Sequence, residues 1–181
     1  QKILKWLTGA EEVPDLNFKP VVDVSYKPET KIPDDGEKIA LKRSINWFYH
    51  NIIYSIDSDK GAIEGFESGI NFEGKEFPRV LKRADCIAET AMFFALAGKV
   101  SNNPVYYDLA GNMLDTIWFE DDFFQNNPDS PGYGLVNWFD RKQIFYGDDN
   151  ARVMLASLTA GNILQKDKWQ KQILKCIQIG R

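Results

Sequence analysis

The chain is poor in the groups that most metalloenzymes and nucleophilic hydrolases use. It has one histidine, His50, and two cysteines, Cys86 and Cys176, among 181 residues. A single imidazole leaves no His/Cys ligand spacing for a metal. No glycine-rich phosphate loop is present either, so no cofactor is expected. A Ser–His–Asp arrangement would rest on His50 alone, and no nucleophile elbow accompanies it. His50, within WFYHN, therefore reads as an ordinary helix residue. Two thiols inside predicted helices do not make a disulfide framework, and buried free cysteines are the simpler expectation. No apolar run approaches the ~18 residues of a membrane span, and QKILKWLTG lacks the apolar core of a signal peptide. Positive charge is not in excess: 22 Lys+Arg against 26 Asp+Glu give a net charge of −4. That balance argues against a nucleic-acid partner.

Aromatic rings, by contrast, are plentiful at 13% of residues, with five Trp. Rings of this kind fill cores and also serve as platforms for flat apolar ligand faces such as those of sugars. Hydrophobic content of 44% suits a globular chain long enough for one domain with a sizeable core.

Residues 1–8 read as a short helix stopped by Gly9. Residues 9–36 carry Pro14, Pro20, Pro28 and Pro33, with VVDVSY as a brief extended piece, and have the composition of an arm or linker. From residue 37 the pattern turns helical. Leu41, Ile45, Phe48 and Ile52 recur at three- and four-residue spacing and predict a helix over 37–55. The glycine-rich stretch 61–79 suggests a β-hairpin or an irregular excursion around EGKE. Helices follow over 81–98 and 104–120, joined by GKVSNNP with Gly98 as C-cap and Pro104 at a helix start. A second helical hairpin covers 149–165 and 167–179. The connection 121–147 has little periodicity but seven aromatic rings, and reads as a packed, ring-lined loop. The expectation is a mainly α fold, with an N-terminal arm at 1–36 and a helical domain at 37–181.

Two stretches concentrate carboxylates. In RADCIAET, Asp85 and Glu89 are four residues apart and share a helical face, with Arg83 just before them. They read equally as a solvated helix start favoured by the macrodipole or as acids at one end of an apolar central helix. In GDDNAR, either Asp148 or Asp149 can cap the next helix, and Asp148 can pair with Arg152. One acid is enough for that structural task, and adjacent acids repel each other. The reading is that one caps and the other faces a polar ligand. Carboxylates beside aromatics match glycoside hydrolysis, which needs one acid and one base or nucleophile.

Successive helical hairpins carrying WFYHN, RADCIAET, YGLVNW and YGDDNAR resemble the six-hairpin, or (α/α) toroid, glycosidase superfamily over roughly residues 37–181. The similarity is to glycosidase-like members whose hairpin region follows another domain. It implies loop-borne acids and rings around a carbohydrate pocket, acting on an oligosaccharide in a periplasmic or secreted setting. By position it nominates Asp85, Glu89, Asp148 and Asp149 as catalytic acids. It nominates Trp47, Glu64, Arg83, Tyr133, Trp138, Tyr146, Asn150 and Arg152 as substrate-binding residues. A full toroid has twelve helices and this chain about five plus a stub. The resemblance therefore implies an incomplete (α/α) toroid, with apolar faces covered by self-association or by a flanking domain. The opposing reading is a non-catalytic helical module that binds glycans or packs on a neighbour.

Overall fold

The chain runs through α1 (Lys2–Thr8), α2 (Gly36–Asn51), β1 (Gly65–Ile70), β2 (Glu76–Arg79), α3 (Ala84–Ser101), α4 (Pro104–Asp115), α5 (Gly147–Leu164) and α6 (Gln170–Ile179). These elements are those of a computed structural model, which describes residues 2–12, 14, 26–53, 61–120, 123–139 and 143–180. The fold is mainly α with one small antiparallel hairpin, as the sequence pattern predicts. The VVDVSY segment lies outside the described residues except for Tyr26, as do residues 121, 122 and 140–142 of the long connection.

Helix α3 is the centre. Its Ile87, Ala88, Ala91, Phe94 and Ala95 are wholly enclosed, and it packs most extensively on α5 and α4. Small residues on the facing helices, Ala110, Gly111, Ala156, Ala160 and Gly161, let the backbones approach closely. A row of rings then ties α2 to α3 and α4: Phe48 to Phe93 at 4.7 Å, Phe93 to Phe94 at 5.3 Å and Phe94 to Tyr106 at 5.6 Å.

The helix boundaries differ from expectation in instructive ways. Gly98 is not the C-cap of α3 but lies inside it, where a Cβ would stand 2.8 Å from the Tyr107 ring. The glycine admits α4, and Asn102 takes the left-handed cap conformation at φ 51°. Asn103 then caps α4, its Oδ1 accepting the Val105 N–H at 3.1 Å, with Pro104 in the first turn. The predicted helix 104–120 is regular only to Asp115. Thr116–Glu120 widen into a π-helical turn, and the Thr116 hydroxyl donates back to the Asn112 carbonyl at 3.1 Å. Helix α2 stops at Asn51, short of the expected residue 55.

The long connection is packed and ring-lined where described, with Phe123 and Val136 fully enclosed. It is pinned to α5 by one side chain. Asn150 accepts the Val136 N–H at 2.8 Å and donates to the Val136 carbonyl at 3.0 Å and the Tyr146 carbonyl at 2.9 Å. The amide therefore acts as a substitute peptide unit for the loop. Tight turns at 102–103 and 165–169 make α3/α4 and α5/α6 antiparallel pairs. The starts of α3 and α5 meet at one end, so these two helices run side by side in the same direction.

Candidate functional site

The meeting of those two helix starts is organised by Arg83, the residue before α3. The Ala84 N–H donates to the Trp138 carbonyl at 3.2 Å, which lays the connection against the helix start. The Trp138 ring thereby comes over the guanidinium, 5.2 Å from centroid to Cζ. Tyr146 packs edge-on against the other part of the Trp138 ring at 5.1 Å.

Arg83 serves three carboxylates. Its Nη1 donates to Glu64 Oε1 at 3.1 Å, and its Nη2 donates to Asp85 Oδ2 at 2.9 Å and to Asp149 Oδ1 at 3.0 Å. Two half-exposed arginines complete the ring of charge. Arg79 Nε stands 3.6 Å from Glu64 Oε2, and Arg152 Nη1 stands 3.6 Å from Asp85 Oδ2. Both distances exceed hydrogen-bond length. The sequence gives no signal for Arg79. It enters the site because β2 pairs Arg79 opposite Gly65, beside Glu64.

Burial and a neighbouring carboxyl set the protonation of Asp149. Asp149 holds its proton above the usual aspartate range, first because it is buried. Its hydrogen bond to the Asp85 carboxyl and the Asp85 charge add to this, and Arg83 opposes it. Arg83 itself is raised: burial disfavours its charge, but the bond to Glu64 and the charge of Asp85 outweigh that cost. Cys86, next to Asp85, is pushed up to about 12, chiefly by burial and then by the Asp85 charge. Cys176 is pushed up to about 11 by burial. Both thiols are free and neither is a thiolate at neutral pH.

Several hydrogen-bonding atoms in this cluster are left over. Arg83 Nε, Trp138 Nε1, Asp85 Oδ1 and Glu64 Oε2 are buried and have no hydrogen-bond partner among the described residues. Asp85 as a whole is 2% exposed. Two leftover donors and two leftover acceptors converge on one end of the α3/α5 pair. Buried polar atoms in native proteins are otherwise almost always satisfied.

Seven of the twelve nominated residues gather here: Glu64, Arg83, Asp85, Trp138, Tyr146, Asp149 and Arg152. The other five do not. Glu89 is exposed while Asp85 points inward, because four residues overshoot a helical turn by about 40°. Asp148 is exposed and neither caps α5 nor pairs with Arg152. The residue at the N-cap position of α5 is Tyr146, without a side-chain bond, and Arg152 reaches across to Asp85 instead. The expectation that one aspartate caps the helix is therefore corrected: Asp149 turns inward and Asp148 faces water. Asn150 is consumed by the Val136 and Tyr146 backbone bonds. Tyr133 lies under Lys175, 3.6 Å from its Nζ, beside α6. Trp47 packs on Phe48 and Phe66 near the hairpin. Among the described residues no group of His, Cys, Asp and Glu could hold a metal ion, and no helix is long and apolar enough to cross a membrane.

In comparisons with protein-family models, with curated proteins and with solved structures, nothing matches this chain.

Proposed function

We propose that the chain is a helical module that binds a carbohydrate at the Arg83 cluster without cleaving it. The observation that carries this reading is the mixture of leftover groups, with N–H donors on Arg83 and Trp138 and carboxylate acceptors on Asp85 and Glu64. An anion would satisfy only the donors and a cation only the acceptors. A hydroxyl does both, and a sugar presents several at close spacing. Arg79 and Arg152, held by contacts too long for hydrogen bonds, are the side chains that move aside to admit it. Tyr146, about half exposed, offers a ring at the edge for a sugar face. The parallel placement of α3 and α5, each backed by an antiparallel partner, supports the toroid resemblance.

Cleavage fits this geometry less well. Asp85 Oδ2 and Asp149 Oδ1 are both held by one nitrogen, Arg83 Nη2, at 2.9 and 3.0 Å. Retaining hydrolases hold their carboxyls ~5–5.5 Å apart and inverting ones ~6.5–9.5 Å. The raised proton affinity of Asp149 is a property of a general acid. Both members of the pair, however, are tied to Arg83, so neither carboxyl is free to attack or to protonate a glycosidic bond unless that cation lets go.

Isothermal titration against a panel of neutral and uronic oligosaccharides, with chromatography of the same mixtures, tests the reading. It expects heat of binding from a neutral oligosaccharide, weakened by Arg83→Lys, and no new products. No binding across the panel overturns the proposal, and released sugars overturn its non-catalytic half.

A further inference from the structure

A second feature lies far along the fold from the Arg83 cluster, where α2 passes the α3–α4 turn. An open cleft of about 990 Å³ runs between them. Its walls are apolar: Leu41 and Ile45 from α2, with Val100, Val105 and Tyr106 from the α3 end and the α4 start. Val100 and Val105 remain 68% and 54% exposed, so nothing described covers this wall.

The rim has one sign. Lys38, Lys42 and Arg43 line the α2 side, and no carboxylate lines the cleft among the described residues. None of the three makes an ion pair with a carboxylate among the described residues; Arg43 bonds the Tyr26 hydroxyl at 3.1 Å. A concentration of unpaired positive charge in a chain of net charge −4 is a directional signal for an acidic partner. The lining runs along α2 from Lys38 to His50, about 18 Å at the rise of an α-helix.

We infer that this cleft docks an acidic amphipathic helix of a partner protein, its apolar face between α2 and α4 and its carboxylates against Lys38, Lys42 and Arg43. The cleft is open along its length and so buries one face of its occupant. That suits a helix with one apolar stripe better than a wholly apolar lipid tail. A bilayer surface is too flat to fill a cleft. The chain's own α1 exposes Ile3, Trp6 and Leu7, but Lys2 and Lys5 give it the sign of the rim.

Fluorescence anisotropy with two labelled helices of about sixteen residues tests the inference. Both carry leucines at i, i+3, i+4 and i+7; one is flanked by glutamates and the other by lysines. The glutamate helix should bind at least about tenfold more tightly, the sum of three modest ion pairs, and lose that margin in high salt. Lys38→Glu combined with Lys42→Glu, both on the exposed rim, should reverse the preference, with circular dichroism checking the fold. Val105→Asp should weaken both helices. Equal binding of the two, no binding of the glutamate helix, or self-association through the cleft in sedimentation would each overturn the inference.

Discussion

Two sites in this molecule are built from the same parts and finish differently. At the end of α4, Asp115 accepts the Trp169 indole N–H at 2.8 Å and the Lys168 ammonium at 2.6 Å, and Lys168 also lies 5.0 Å from the Trp169 ring centroid. At the start of α3, carboxylates again meet a cation that lies over a tryptophan. In the first case both carboxylate oxygens and the indole N–H are used, and the site works as a clamp between α4 and α6. In the second, the indole N–H, one guanidinium N–H and two carboxylate oxygens have no hydrogen-bond partner among the described residues. A closed network explains itself by stability. An open one in the same fold calls for a ligand, because a buried polar atom without a partner costs on the order of 1–3 kcal/mol.

The strongest way to break this comparison is to remove the cation of the open site. Arg83→Met should strand three acids and lower unfolding stability by about 3–5 kcal/mol at neutral pH in urea titrations. A loss under about 1 kcal/mol would mean that Arg79 and Arg152 suffice and that Arg83 does not organise the cluster. Next, Asp115→Ala should cost about 1–3 kcal/mol, since it leaves the Trp169 N–H buried and unpaired. No sugar should change that figure, because the clamp is not part of the proposed site.

A smaller effect concerns pH. Asp149 binds its proton more tightly folded than unfolded. Its stabilising contribution is therefore complete below the unfolded aspartate value of about 3.9 and is lost as pH rises through the higher folded value. Asp149→Asn removes that dependence. Urea titrations across this range should show the variant gaining on the parent as pH rises; a gap moving the other way would contradict the assignment. Smallest of all, Asp148→Asn should stay within about ±0.5 kcal/mol in urea titration at neutral pH, as for an exposed side chain with no hydrogen bond or ion pair among the described residues.

The helices were readable because α3, α5 and α6 follow simple apolar periodicities, and Pro104 marks a helix start in the sequence itself. What misled was chemistry that works at a distance. Gly98 looks like a terminator, but the Tyr107 ring needs its space. Asp148 looks like the partner of Arg152 on helical spacing, yet Arg152 finds Asp85, sixty-seven positions away, because α3 and α5 start side by side. The importance of Arg83 and Asp85 was visible as a local motif, whereas the entry of Arg79 depends on hairpin register. Asn150 shows the converse. It sits within the most suggestive stretch of the sequence and is used to hold the backbone, its Oδ1 also accepting the Cys176 thiol at 3.3 Å.

The twin substitutions Trp138→Phe and Trp169→Phe test the central contrast most directly, measured by thermal unfolding with and without a neutral oligosaccharide. Trp169→Phe should lose about 1–3 kcal/mol more than Trp138→Phe in the free protein, because only the first breaks a hydrogen bond. The sugar should raise the melting temperature of the parent and of Trp169→Phe by mass action, and fail to raise that of Trp138→Phe. Equal losses in the free protein, or a sugar-induced rise that survives Trp138→Phe, would contradict the account.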